Sequence, residues 1–330
     1  MTDTALVIGG TRFIGRHTVS DLLANGYEVA MLNRGNHENP FADDDRVTHV
    51  EGDRTNERDL RTAKLSAEPD IVIDCVAYHP GDVETAVDVF ADVDGYVYVS
   101  SGSSYAAEEI PKREGETPLR PCSPEQAADE SMETYGNRKA EGDRTVFEAA
   151  EEGVSATAVR PCIVYGPYDY TERLDYWIGR VLSHDRVVVP GDGQNLWHRA
   201  YVEDVASALR IAAERGDPGA AYNVGDRRAL TLEETLETIA AAAGTDCEVV
   251  PASGDALAAG GLEPDDFPLY REYPHLLDTC ALAGLGWEST PVDEAMARTV
   301  AEHREADRDG SEWDPGREAE ERVLGVKETL

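Results

Sequence analysis

The sequence predicts an α/β fold, a doubly wound parallel sheet with a smaller, mainly helical lobe toward the C-terminus. Three observations carry this. Short apolar runs alternate with helical periodicity through the first half of the chain. The first of these runs, at residues 4–8, passes straight into the glycine-rich turn Gly9-Gly10-Thr11-Arg12-Phe13-Ile14-Gly15. After Pro161 the rhythm changes to helices separated by shorter strands.

Each element follows from its residues. Residues 4–8 are an apolar first strand. Ile14, Thr18, Leu22 and Leu23 give the next segment, 16–24, one buried helical stripe, and Asn25-Gly26 ends it. Strands are expected at 27–32, 47–50 (weak), 71–76, 96–100 and 156–159. Helices are expected at 57–65, 83–91 and 132–152. A loop rich in proline and charge spans 108–124. Beyond Pro161, helical periodicity predicts helices at 173–182, 202–214, 232–243 and 292–305, with strands at 187–189 and 221–224. The charged tail after Arg308 reads as one surface helix.

The order strand, glycine turn, helix is what a dinucleotide requires. Glycines let the backbone approach a pyrophosphate, and the new helix aims unpaired N–H groups and its positive dipole end at the phosphates. The fold is therefore expected to be Rossmann-type, with all strand C-terminal ends and the ligand along one edge. Residues 1–165 should form the dinucleotide-binding domain, with 200–225 returning to it. Residues 166–199 and 226–330 should form the substrate lobe.

Composition narrows the partners. The chain has 330 residues and a formal charge of −36, with 66 acids against 30 bases, of which only Lys64, Lys112, Lys139 and Lys327 are lysines. Such a charge repels phosphate backbones and anionic membranes, which argues against nucleic acid and membrane partners. The acid is spread along the sequence, and an acidic, lysine-poor surface resembles that of proteins from salt-accumulating microbes. Cys75, Cys122, Cys162, Cys247 and Cys280 are far apart and odd in number, so they form neither a disulfide framework nor a CxxC metal pattern. With no HExxH among eight histidines, no metal is expected. No basic n-region and no apolar run near the ~20 residues of a membrane span is present, so the expectation is a cytoplasmic protein.

Several pieces occur in one recognisable order: Gly9–Gly15, Asn33-Arg34, Gly52-Asp53, the serine-rich 100–105, Tyr135-Gly-Asn-Arg-Lys139, Arg160-Pro161 through Tyr165-Gly166-Pro167, and 201–206. This order resembles the NAD-dependent epimerase/dehydratase group of the short-chain dehydrogenase/reductase superfamily, in its extended or atypical branch, over about residues 4–225. The resemblance implies cofactor contacts from Gly9, Thr11, Arg12, Phe13, Ile14, Gly15, Asn33, Arg34, Asp53, Arg54, Ala77, Tyr135, Lys139, Pro161 and Val164. Asp53 would accept from the adenine amino group, with Arg54 stacking beside it, and Ala77 would lie against the nicotinamide side. Homodimerisation through two exposed helices is common in the group.

Tyr135 and Lys139 are four residues apart, so both project from one helical face. A lysine ammonium beside a phenol favours the phenolate and lowers a pKa that is otherwise too high for a base at neutral pH. Tyr135 can then take the proton of a substrate hydroxyl as hydride leaves, or return it. Lys139 would also hold the cofactor ribose. By the resemblance Ser101 steadies the substrate oxygen, with Ser103 as runner-up. Each piece has a plainer alternative: a glycine turn can be only a turn, a tyrosine can stack over a lysine stem, and serines after a strand are commonly turn residues.

Two departures bear on the cofactor. Arg12 stands where the usual pattern has a third glycine. The second strand is followed by Asn33-Arg34 rather than by the acid that accepts from a ribose 2′-hydroxyl, and an arginine there can fork onto a 2′-phosphate. Both favour NADP over NAD, the alternative being that Arg34 opens a polar loop and Arg12 pairs with an acid. Tyr168, Trp197 and Arg199 are candidate substrate contacts, Arg199 in a shifted register. His79 and His198 read as structural or exposed. The expected function is an NAD(P)-dependent oxidoreductase or epimerase acting on a carbonyl or secondary alcohol of a small sugar-like or nucleotide-sugar substrate. The alternatives are a non-catalytic dinucleotide sensor or scaffold, and a dehydratase drawing on Glu130 or Glu133 as an extra carboxylate.

Overall fold

The computed structural model describes residues 3–327. In chain order the elements are β1 (Thr4–Ile8), α1 (Phe13–Ala24), β2 (Glu28–Asn33), β3 (Val47–Glu51), α2 (Glu57–Ala67), β4 (Ile71–Asp74), α3 (Pro80–Val89), β5 (Gly95–Val99), α4 (Pro124–Ala128), α5 (Tyr135–Glu151) and β6 (Ala156–Pro161). They continue with β7 (Ile163–Tyr165), α6 (Arg173–Ser183), β8 (Arg186–Pro190), β9 (Arg199–Tyr201), α7 (Val202–Arg215), β10 (Ala221–Val224), α8 (Leu232–Ala243), β11 (Glu248–Ala252), α9 (Gly254–Gly260), α10 (Cys280–Gly284), α11 (Val292–His303) and α12 (Arg317–Lys327). The chain divides into two compact units: Met1–Val164 with Val202–Gly225 and Leu277–Ser289, and Tyr165–Tyr201 with Asp226–Leu276 and Thr290–Leu330.

The first unit is a seven-stranded, wholly parallel sheet of order β10-β6-β5-β4-β1-β2-β3, the Rossmann-type arrangement expected. A sheet covered on both faces needs apolar side chains on both, which is why β1, β4 and β5 are continuous buried runs without alternation. On one face Leu60, Ala63, Val83, Ala86, Val87, Val146 and Ala149 from α2, α3 and α5 cluster with Leu6, Leu32, Val72 and Tyr96 of the strands. Helices α1 and α7 pack against each other. The chain runs outward from β1 through β2 to β3, then crosses back to β4 on the other side of β1. That reversal opens a crevice at the strand C-terminal ends, where α/β sheets bind ligands.

Three boundaries differ from expectation, each for a local reason. β4 stops at Asp74, not residue 76, because the Asp74 carboxylate accepts from the Val76 N–H (3.1 Å) and turns the chain. α3 starts at Pro80, earlier than expected, because Asp82 accepts from the His79 N–H in a capping box with Pro80 just inside the helix. Residues 132–134 form a separate 3-10 turn before α5. The segment Leu277–Ser289, expected in the lobe, belongs to the first unit. The Asn223 amide donates to the Asp278 carbonyl (3.1 Å), and the Trp287 indole N–H donates to the Asp204 carbonyl (2.9 Å).

The second unit pairs β8 with β11 in parallel and surrounds them with helices. The expected surface helix at the tail, α12, is instead anchored. Val323 and Glu320 are fully buried, and Glu320 accepts from Arg180 (2.8 Å) and from the Tyr176 hydroxyl (3.1 Å). Among the described residues no helix is long and apolar enough to cross a membrane.

Candidate active site

The cradle forms where β1 hands over to α1. Gly9 has φ +93°, a conformation that costs L side chains steric energy, and its N–H donates to the Leu32 carbonyl (2.9 Å). Gly15 lies so close to this turn that an added Cβ would press into the Gly9 carbonyl oxygen and sit 2.9 Å from its carbon. Arg12, where a third glycine was the usual pattern, is exposed at the N-cap of α1 with extended backbone. Phe13 is buried at the first helical position with φ +31°, a strained value for an aromatic residue. The first-turn amides of α1 have no intrahelical acceptors.

At the end of β2 the Asn33 Oδ1 accepts from the Gly35 N–H (2.9 Å) and meets His49 Nε2 (3.0 Å), while its Nδ2 is buried without a hydrogen-bond partner. Arg34 beside it is exposed. Asp53 lies within electrostatic range of Arg34. The Thr55 backbone N–H, then the Thr55 hydroxyl, hold its carboxyl below the usual carboxylate range. Arg54 does not lie out beside Asp53 as a stacking surface. Its guanidinium turns inward and is buried, paired to Asp74 and within 3.4 Å of Asp82. Two carboxylates inside a low-dielectric crevice compete for it more strongly than solvent or a flat ring does.

Helix α5 carries the phenol and the amine. Tyr135, its first residue, is half-buried. Lys139 is buried, and its ammonium donates to the Ala77 carbonyl (2.8 Å), beyond β4, and to the Val99 carbonyl (2.7 Å), at the end of β5. The rings of Tyr98, Tyr78 and Tyr135 surround it at 4.8, 5.3 and 5.7 Å. Burial pulls the amine down to about 8, and nearby Asp74 and Asp143 oppose that fall. Ser101 opens the 3-10 turn Gly102–Ser104, and its oxygen accepts from the Ser103 N–H (3.1 Å), which leaves its own hydroxyl proton to donate. Gly136 lets α5 come this close, since a Cβ there would run into the Ser103 carbonyl oxygen. Ser103 itself is exposed. Pro161 ends β6, and Val164 is buried two residues after Cys162.

Sequence reasoning thus reached Ser101, Tyr135, Lys139 and Ala77, which the structure gathers at the C-terminal ends of β4 and β5. It missed Gly136, Tyr78, Tyr98 and Asp74. The last had a signal: a carboxylate closing an otherwise apolar strand.

The remaining candidates lie in the second unit. Tyr168 is exposed with φ +65°. Trp197 is half-buried with the Arg271 guanidinium 5.6 Å above its ring. Arg199 is not available to hold a diphosphate. It is buried, donating to the Leu230 carbonyl (3.0 Å) and to the Thr235 hydroxyl, because a buried guanidinium must satisfy its donors locally. His79 caps α3 and His198 is buried against the Asp226 carbonyl (2.7 Å). Among the described residues no cluster of His, Cys, Asp and Glu is arranged to hold a metal.

The glycine cradle, the open first turn of α1 and the unpartnered Asn33 amide fit a dinucleotide. Comparison with known proteins agrees with that chemistry. The chloroplast stem-loop binding protein of 41 kDa b of Arabidopsis thaliana is 26% identical over 252 residues, which is 72% of this chain and 63% of that protein's length. The low-salt glycan biosynthesis protein Agl12 of Haloferax volcanii is 29% identical over 266 residues, 72% of this chain and 82% of that protein. The same fold appears in dTDP-glucose 4,6-dehydratase from Bacillus anthracis in complex with NAD, with TM-score 0.73 and 20% identity over 94% of this chain and 98% of that one. It appears again in Thermus thermophilus UDP-glucose 4-epimerase in complex with NAD, with TM-score 0.70 and 24% identity over 92% and 99%. The sequence model of one family matches residues 5–225, the stretch that carries the cradle, the phenol and the amine. The chain belongs to the NAD dependent epimerase/dehydratase family, and with it to the NAD-dependent enzymes.

Proposed function

We propose that this chain is an NAD(P)-dependent oxidoreductase or epimerase that acts on a carbonyl or secondary alcohol of a nucleotide-sugar or sugar-like substrate. The observation that carries the reading is the buried Lys139 ammonium, one helical turn from Tyr135 and fixed by the Ala77 carbonyl just past β4 and the Val99 carbonyl at the end of β5. When bound, the nicotinamide ring supplies the hydride acceptor or donor. The Tyr135 oxygen takes the substrate hydroxyl proton, or returns it in the reverse direction. The Lys139 charge stabilises the phenolate that this requires. The Ser101 hydroxyl donates to the substrate oxygen and orients it. The substrate class draws on the relatives, several of which are named for dTDP-glucose or UDP-glucose.

Asn33 and Arg34 would hold the adenosine ribose, and Gly9–Gly15 the pyrophosphate. Our reading puts NADP ahead of NAD, although the similar solved structures hold NAD. No acid follows β2, and Arg34 is exposed at that end with Asp53 as its near charge. A dehydratase needs a carboxylate beside the tyrosine. The turn at 101–104 has none, and Glu130 and Glu133 are exposed, which favours hydride transfer without elimination. A stem-loop-binding role like that named for the chloroplast relative is disfavoured by the charge of −36, which repels phosphate backbones. We also propose a cytoplasmic location and a homodimer, the latter tested by light scattering of the purified protein.

The test pairs two measurements. Nucleotide released from purified protein is identified by mass, and turnover of a panel of UDP- and dTDP-sugars is compared in wild type and Tyr135→Phe. We expect a loss on the order of 10³-fold in turnover, with nucleotide affinity nearly intact. Undiminished turnover in Tyr135→Phe overturns the mechanism.

A further inference from the structure

We propose that Arg54 is a positioning residue for the Lys139 ammonium, acting through Asp74 and Asp82 and the backbone segment 76–79 that lies between their contacts. This rests on the reading of Lys139 as the electrostatic partner of Tyr135. The geometry is a double clamp. One arm of the buried Arg54 guanidinium holds Asp74; the other lies 3.0 Å from the Asp82 carbonyl oxygen and 3.4 Å from its carboxylate. Asp74 accepts from the Val76 N–H (3.1 Å), and Asp82 accepts from the N–H groups of Tyr78 and His79 (3.1 Å each). The two carboxylates therefore grip the chain on either side of Ala77. The Ala77 carbonyl, in the middle, is the acceptor that fixes the Lys139 ammonium. The neighbouring Tyr78 carbonyl takes a second donor from α5, the Arg138 guanidinium (3.1 Å), so the gripped segment sets the helix as well as the amine.

A buried arginine bridging two carboxylates is poor evidence for a stability role, because desolvation offsets the attraction. Its value here is geometric. Displacing a catalytic group by about 1 Å can cost on the order of 10²-fold in rate. Lysine cannot replace arginine, since an ammonium is a point charge without the planar fork that reaches both carboxylates.

The chain has four lysines, so selective 15N-lysine labelling resolves the Lys139 amine directly by NMR. That amine faces Tyr98 from β5, Tyr78 from the segment after β4 and Tyr135 from its own helix, with Asp74, Cys75, Asp82 and Asp143 as the further titratable groups. In wild type it should titrate near about 8. In Arg54→Met the midpoint should rise by about one pH unit or more, because the ammonium loses the Ala77 carbonyl, keeps only that of Val99 and regains water, and because a neighbouring cation is gone. Arg54→Lys, which keeps the charge, should shift it the same way. If Arg54→Met does not fold, Arg54→Lys decides. Folded variants with an unmoved Lys139 midpoint overturn the clamp, even if their melting temperatures fall. The two readings fail separately. Lost turnover in Tyr135→Phe with an unmoved midpoint sinks only the clamp, and normal turnover with a moved midpoint sinks only the acid/base reading.

Discussion

Replacing Gly15 with alanine probes the nucleotide cradle without touching any side chain proposed to do chemistry. The new methyl would sit 2.9 Å from the Gly9 carbonyl carbon and 3.1 Å from Gly10 Cα, and closer still to the Gly9 oxygen. Carbon atoms rest at about 3.5 Å or more, so the Gly9–Gly10 backbone must retreat by roughly half an ångström, and the oxygen by more. The Gly9 N–H bond to Leu32, now 2.9 Å, cannot survive a shift of that size in the wrong direction. Overpacking of this kind costs about 1–3 kcal/mol, against which alanine's helical preference returns at most ~1 kcal/mol. The effect on binding is larger. Turned amides would lose hydrogen bonds to a charged pyrophosphate at roughly 1.5–3 kcal/mol each, so two such losses weaken binding on the order of a hundredfold or more. Titration calorimetry with NAD and NADP reads the affinity, and urea unfolding reads the stability. Gly254→Ala is the control: it opens α9 with negative φ and has nothing within 4 Å of the added methyl, so both quantities should hold. A Gly15→Ala protein that binds nucleotide as tightly as wild type refutes the cradle.

Arg34→Ala should weaken NADP binding about tenfold or more and leave NAD binding little changed; equal losses for both nucleotides remove Arg34 from the phosphate site. His198 is held down at about 4 by burial, against 6.5 in the unfolded chain, so as pH falls from 6.5 toward 4 the unfolded state takes up a proton that the native state refuses. Stability on the order of 3 kcal/mol should disappear across that window, and less of it in His198→Gln. Denaturant unfolding at several pH values measures this, and identical slopes for the two proteins count against it. With a formal charge of −36, self-repulsion should fall as salt screens it. Raising KCl to about 3 M should lift the melting temperature by roughly 5–10 °C, and a flat or falling curve contradicts the salt-adapted reading of the surface.

Elements whose residues declare themselves locally were readable from the sequence. β1 and its glycine turn are one apolar run beside one unmistakable backbone signal. α8 is a capping box, Thr231 to Glu234, closed by Gly244. β11 was not readable. It is a five-residue strand interrupted by Pro251 and half-exposed, so neither alternation nor an apolar run marks it. In the site, Tyr135 and Lys139 were legible because helical spacing fixes their relation. Arg54 and Arg199 were misplaced because long side chains choose their partners in space. The Asp74 and Thr235 that capture them lie 20 and 36 residues away. The same holds for Glu320, whose partners Tyr176 and Arg180 make a charged tail part of the interior.

The course of the chain also bears on how it is made. The Asn223 side-chain amide on the outermost sheet strand completes its hydrogen bonds only when Asp278 joins the Lys112 carbonyl as an acceptor, and the Asp204 carbonyl finds the Trp287 indole. A growing polypeptide that has delivered the whole nucleotide-binding sheet still lacks these last contacts. It must wait for some fifty more residues, which form much of the other unit, before the first is finished. Synthesis therefore exposes an incomplete sheet margin to the cell, and a recombinant fragment ending after residue 225 would carry that raw margin permanently.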